Sequence, residues 1–372
     1  MSFDEVSVNL YETIQELQAK YYEKIRHPFV AGLELTPKCN LSCVHCYMSD
    51  YPNEVTLSAE QWKHIIDKLH DSGVLILYMT GGEILTRRDF AEIYTHAKKR
   101  GFIIELLTNI TCLTDEIVEV FKKYPPATIS ISVYGMCEET YSAVTRRPGM
   151  FAKFKNNVQK LVDADIDIEL KFIGLRKNRQ DFLKAEKWAN EIGAKFKFNF
   201  EIFPTLEGSD SVLNEALTNK EILEVDKNYP RTARVYALNC NKPNPFMDSK
   251  RIPVFTCNVA SSLCYIDSLG YVSPCNKMRL KEHNILNEDL GDIWKCYIEE
   301  YANMLAPEDY VCGKCPAIHI CAPCPVVNKL STGKYVTPCP KSCELSKMRK
   351  AEFMKKEYDK YREEKEASLK KD

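Results

Sequence analysis

From Val30 onward, short apolar runs alternate with stretches of helical periodicity, the runs being VAGLELT, VLILYMT, IIELLT, ISISVYG, IDIELKFIGL and FKFNFEIF. They are too short and too continuously apolar for amphipathic helices, and they read as strands buried on both faces. Between them lie helix signals. Ser58 with Gln61, and Thr218 with Glu221, are spaced as capping boxes, while Gly73, Gly101 and Gly193 stand where helices stop. Strand and helix units in alternation predict a parallel sheet covered by helices, either an incomplete TIM-like barrel or an open doubly wound sheet. Before the first run, Leu10, Ile14, Leu17, Tyr21 and Ile25 recur at helical spacing, which predicts an N-terminal helix within residues 1–29. After about Asn228 the texture becomes rich in Pro, Asn and basic residues, which marks a domain junction near 235/236. Residues 236–343 read as loop-rich and short of apolar pattern, and 344–372 as a charged, solvated helix.

Composition narrows the function. Lys plus Arg number 51 against 52 for Asp plus Glu, so no global field favours nucleic acid or an anionic membrane. No signal peptide and no apolar run of spanning length is visible, which points to the cytoplasm. Sixteen cysteines in a chain of 372 are too sparse for a disulfide scaffold, and in a reducing compartment their clustering points to metal.

Three of them, Cys39, Cys43 and Cys46, lie within eight residues in LELTPKCNLSCVHCYMSD. Three thiolates can grip a four-iron cluster yet leave one iron open, since such a cluster normally takes four protein ligands. The CxxxCxxC spacing resembles that of the radical S-adenosylmethionine (SAM) enzymes, in which SAM chelates the fourth iron of a 4Fe-4S cluster. The resemblance implies a partial (β/α)6 TIM-like barrel over residues 30–235 and a catalytic triad made by these cysteines. It also implies that a 5'-deoxyadenosyl radical abstracts a substrate hydrogen atom. His45, in the position before the third cysteine, then lies near the adenine. Thr80, Gly81, Gly82 and Glu83 match the segment that binds the SAM amino group, with Ile84 where the family usually has Pro. Thr108, Asn109 and Ser132 match positions that contact the ribose or sulfonium. Lys171 and Arg176 are candidates for the SAM carboxylate.

The second cysteine field runs Cys257, Cys264, Gly270, Cys275, then Cys312, Cys315, Cys321, Cys324, Cys339 and Cys343. It resembles the SPASM extension of peptide-modifying radical SAM enzymes, with CxxC at Cys321 and Cys324 in place of the usual CxxxC. By that resemblance Cys257, Cys264, Cys275 and Cys324 hold one auxiliary 4Fe-4S cluster. Cys312, Cys315, Cys321 and either Cys339 or Cys343 hold a second. Paired CxxC motifs also suit tetrahedral zinc, which carries no electron. Cys112, Cys137, Cys240 and Cys296 fall outside both patterns and read as buried hydrophobes.

SPASM relatives include sulfatase-maturating enzymes, tetrapyrrole-modifying enzymes, and maturases that crosslink or epimerise ribosomally made (RiPP) peptides. The first group carries an Asp after the cysteine matching Cys275, where this chain has Asn276, a side chain that takes no proton. The resemblance favours a maturase that makes an oxidative thioether or carbon-carbon crosslink. Its implied partners are a precursor peptide, a separate leader-binding protein and a flavodoxin- or ferredoxin-type donor. An iron-sulfur electron-transfer protein without radical chemistry is the alternative of another class.

Overall fold

The structure is a computed structural model that describes residues 26–48, 56–247, 249–257 and 259–369. The expected N-terminal helix over Leu10 to Ile25 lies outside the described residues. The strands are β1 (Val30–Glu34), β2 (Ile76–Thr80), β3 (Ile103–Thr108), β4 (Thr128–Val133), β5 (Ile168–Ile173), β6 (Lys195–Asn199), β7 (Leu263–Ile266) and β8 (Val272–Ser273). They form one eight-stranded sheet in the order β6-β5-β4-β3-β2-β1-β7-β8. Strands β1 to β6 pair in parallel, and the sheet ends at β6, so the barrel is incomplete as expected.

The helices that cover this sheet are α1 (Ala59–Asp71), α2 (Phe90–Lys99), α3 (Asp115–Lys123), α4 (Glu138–Thr145), α5 (Met150–Asp163) and α6 (Phe182–Glu191). The Ser58–Gln61 capping box opens α1, and the Thr218–Glu221 box opens α7 (Asn219–Asn228). Gly73, Gly101 and Gly193 take positive φ just beyond α1, α2 and α6, a conformation that glycine reaches without strain.

Strand alternation divides the sheet into two chemically different faces. Ala31, Leu33, Leu77, Met79, Ile104, Ile131 and Phe172 face the helices and form the main core. The other face carries Glu34, Thr80, Ser130, Ser132, Glu169 and Lys171, a polar lining where a closed barrel packs aliphatic layers.

Three expectations about the second half give way. Residues 236–343 do not stand apart, because β7 pairs in parallel with β1 and extends the same sheet. Phe255, Ile266, Val272, Ile285 and Trp294 join the barrel's own core, so this region rests on shared apolar packing as well as on its cysteines. The junction expected at 235/236 is crossed by α8 (Pro230–Asn239), whose Pro230 sits at the first helical turn, where a missing N–H costs nothing. The tail is not one solvated helix. After α9 (Leu290–Tyr297), α10 (Ile318–Cys321) and α11 (Pro325–Thr332), it forms α12 (Pro340–Phe353) and α13 (Asp359–Leu369). Phe353 and Tyr358 are buried with Ala233, Ala237 and Cys240 of the α8 region, and Arg349 is tied down by two carboxylates.

Candidate active site

The first cysteine loop leaves the end of β1 and is fastened to the end of β2 by backbone alone. Gly82 N–H donates to Thr36 C=O (2.7 Å) and Glu83 N–H to Lys38 C=O (2.8 Å). A Cβ at Gly81 would stand 2.3 Å from Thr36 O, and one at Gly82 2.4 Å from Lys38 O. The paired glycines are therefore required by the approach of the cysteine loop itself, a reason not visible from their sequence alone.

Glu83 is fully buried. Its Oε1 accepts from Thr108 Oγ1 (2.6 Å) and Leu85 N–H (3.0 Å), and Oε2 accepts from Asn109 N–H (2.6 Å). Burial raises its pKa, and those three donors oppose the rise. The carboxylate thus locks the loop after β3 onto the GGE turn. In that loop Ile110 holds φ 63° and 0% exposure, and Asn157 Nδ2 donates to its carbonyl (2.8 Å). A buried β-branched residue in the left-handed region marks a backbone forced into place by its surroundings. Asn109 is held twice over, its Oδ1 accepting from Thr111 N–H (2.9 Å) and its Nδ2 donating to Asn40 Oδ1 (3.1 Å). The same Nδ2 lies 3.8 Å from Cys39 Sγ.

Cys39, Cys43 and Cys46 are brought together. Cys39 keeps an exposed position on the loop, while the protein packed around its thiol raises its pKa and the charges of Glu83 and Cys46 add to the rise. Cys43 is raised by burial and then by Cys46 and Cys39, against a hydrogen bond from Tyr134. Thiols that raise one another in this way call for a cation to hold them as thiolates together. Burial lowers His45 to about 4, so its imidazole is neutral near pH 7. Its ring lies 5.4 Å from that of Tyr134, and its Nδ1 is buried with no hydrogen-bond partner. Ser132 hydrogen-bonds Tyr134, and Thr80 ends β2 on the polar face. Tyr134, Asn40 and Thr111 escape sequence reasoning because their relation to Cys39 and Cys43 exists only after folding. Cys112, read as a buried hydrophobe, is half-buried and electrostatically coupled to Cys39. Cys137 and Cys296 are exposed, and Cys240 is buried as expected.

The later cysteines separate into sets. Cys275 rises to about 11 through burial, with Cys324 and Cys257 adding to the rise. Cys264 does not join these three. It lies in the main core with 0% exposure, and its thiol is pushed up to about 12 by burial, opposed by its own backbone amide. Strand alternation gives the reason. Neighbouring Tyr265 covers Gly32 and donates to Glu34 Oε2 (3.1 Å) on the polar face, which turns Cys264 to the apolar one.

In the other set, Cys321 is raised to about 11 by burial and then by Cys312, Cys315 and Cys343, with the nearby Ser346 hydroxyl opposing the rise. These four line a cavity of about 90 Å³, and Cys324, coupled to Cys275 and Cys257, lines it as well, so the two sets meet there. Asn244 Nδ2 fastens their CxxC turn, donating to Gly313 O (2.9 Å) and Cys315 O (3.0 Å). Between the two candidates for the last place, Cys343 is the one coupled to Cys312 and Cys321. Cys339 also borders the cavity but is the N-cap residue of α12. There hydrogen bonds from Ser342, Ser331 and Lys341 outweigh burial and lower its pKa. Among the described residues, no group of three or more His, Cys, Asp or Glu converges closely enough for a single metal ion.

Residues 33–189 match the family described as the radical SAM superfamily. The chain is 28% identical over 334 residues to an AdoMet-dependent heme synthase of Methanosarcina barkeri, across 84% of this chain and 95% of that protein. It is 33% identical over 176 residues to the antilisterial bacteriocin subtilosin biosynthesis protein AlbA of Bacillus subtilis, across 46% of this chain and 39% of that protein. Among solved structures, SuiB of Streptococcus suis bound to its precursor peptide SuiA shares the fold with TM-score 0.67 at 15% identity. That match covers 90% of this chain and 81% of SuiB.

Proposed function

The chain belongs to the radical SAM superfamily, whose enzymes use a 4Fe-4S cluster and SAM, and we propose that it is a maturase that crosslinks a ribosomally made peptide by oxidation. Cys39, Cys43 and Cys46 would hold the cluster that binds SAM. The mutual charge coupling of these thiols fits that group, and the buried, unpartnered Nδ1 of His45 fits an adenine neighbour. When bound, SAM supplies a 5'-deoxyadenosyl radical that removes a hydrogen atom from the substrate. The protein's own part is positional. Glu83, Asn109 and the two glycines fix the loop geometry, and neutral His45 with the tilted ring of Tyr134 supplies a half-buried aromatic wall. Cys257, Cys275 and Cys324, and separately Cys312, Cys315, Cys321 and Cys343, would hold two auxiliary clusters able to take the second electron.

The observation that carries a peptide as substrate is the charge balance of the polar sheet face. Lys195 pairs with Asp167 (2.7 Å), Lys197 with Glu169 (2.7 Å) and Arg279 with Glu34 (2.6 Å). Lys171 is the further cation there and Glu105 the further acid. A lining so compensated offers no net attraction to a polyanion, and it suits a backbone that presents donors and acceptors in equal number. A tetrapyrrole side chain is the second reading. It is favoured by the similarity to the heme synthase along nearly that protein's whole length.

Anaerobic co-expression with each short open reading frame beside the gene, followed by fragmentation mass spectrometry of the recovered peptides, tests the proposal. Loss of two hydrogens per modified site is the expected result. Unmodified peptides, together with conversion of an added iron-coproporphyrin, would overturn it in favour of the tetrapyrrole.

A further inference from the structure

We propose that Arg349 and Glu201 act as an opposed charge pair that sets the reduction potential of the cluster held by Cys312, Cys315, Cys321 and Cys343. This rests on reading that cysteine set as a cluster site. Among the described residues, Arg349 and Glu201 are, apart from the cysteines, the ionisable side chains that line the cavity between them. Both are fixed in place. Arg349 Nη1 donates to Glu201 Oε1 (2.7 Å), and its Nε donates to Asp226 Oδ2 (2.7 Å), behind the cavity lining. The guanidinium also lies 4.6 Å from the centre of the Tyr236 ring. Its side chain is 7% exposed, so solvent screens it little.

One helix delivers the arrangement. Cys343, Ser346 and Arg349 recur every third residue along α12, which places a thiolate, a hydroxyl and a guanidinium along one face toward the cavity. The carboxylate comes from the opposite side, two residues beyond the end of β6. A cluster on four thiolates is anionic and gains one further negative charge when it accepts an electron. A nearby cation therefore favours its reduced state, and a nearby anion opposes it. Charge, hydrogen bonds to sulfur and solvent exposure are the levers by which proteins spread the potentials of such clusters, and here the buried charge pair supplies the first of them. The guanidinium and the Glu201 carboxylate at the cavity wall therefore pull the potential in opposite directions, and removing either one unbalances the pair.

The test is an anaerobic redox titration of the full-length, cluster-loaded protein followed by electron paramagnetic resonance. The Cys39, Cys43 and Cys46→Ala background leaves only the auxiliary signals. Cys343→Ser first identifies which signal belongs to this site, and auxiliary signals unaltered by it would defeat the underlying cluster reading. On the identified signal, Arg349→Met is expected to lower the midpoint potential, Glu201→Gln to raise it, and Arg349→Lys to restore most of the wild-type value. If Arg349→Met does not fold, Glu201→Gln decides alone. Unshifted potentials, or shifts of the same sign in Arg349→Met and Glu201→Gln, would overturn the inference while the cluster reading stands.

Discussion

Glu83 shows how a single side chain serves the site by organising backbone. Its carboxylate satisfies Thr108 Oγ1, Asn109 N–H and Leu85 N–H in a fully buried position. Glu83→Ala strands those donors, each at about 1–3 kcal/mol, and releases the loop that orients Asn109 beside Cys39. SAM affinity measured by anaerobic calorimetry is expected to fall at least about tenfold, the equivalent of about 1.4 kcal/mol. An affinity unchanged in this variant would show that the loop does not bear on SAM. The Glu was legible in the sequence as part of a GGE turn after a strand, as were the cysteine triad and the residue types of the GG pair. Their mechanical reason was not, because it lies in contacts with residues 36–38 and 108–109 that only the folded sheet creates. Cys264 shows the opposite failure. The SPASM resemblance made it a ligand, yet the alternation of β7 directs it into the core, a conflict that becomes visible once Tyr265 is known to face Gly32.

Among elements, α12 is the one that the sequence hid most thoroughly. Its dense alternating charge looks solvated, and its apolar positions make no continuous stripe. What docks it is a buried ion cluster in which Arg349 meets Asp226 of α7 and Glu201 beyond β6. Ion pairs that join distant segments leave no periodic signal in the sequence. Burial raises Asp226 to about 6 despite Arg349, whereas an unfolded Asp titrates near its ordinary 3.8. Between those values the native state binds a proton that the unfolded state has lost. Asp226 therefore contributes less stability as pH rises through about 6. Between about pH 5 and about pH 7 the stability gap between wild type and Asp226→Asn should shift in the variant's favour by about 1 kcal/mol. Urea unfolding at the two pH values checks this, and a gap that stays constant would mean Asp226 is ionised throughout. Strand β7 was concealed differently. Read as part of a loop-rich metal region, residues 254–301 instead continue the barrel's sheet and core, so the two halves fold around one interior.

At the scale of the whole molecule, a sheet apolar toward its helices and polar on its other face places a water-compatible lining beneath the loop of Cys39, Cys43 and Cys46. The auxiliary cysteine region is anchored to the same sheet through β1. Alternating runs were enough to read a parallel sheet covered by helices, because strand burial dictates composition directly, while the incomplete barrel came from the family resemblance. The pairing of Arg279 with Glu34 across 245 residues, and with it the charge balance of the lining, had to come from the folded chain. Among the described residues no helix is long and apolar enough to cross a membrane. The central claim is that three thiolates on the β1 loop make the chain a radical SAM enzyme. Its most direct test is 5'-deoxyadenosine formation from SAM under strong reductant, in wild type and in the Cys39, Cys43 and Cys46→Ala variant. Product from wild type alone, with the auxiliary signals retained in the variant, is the predicted result. Equal SAM cleavage by the variant would contradict it.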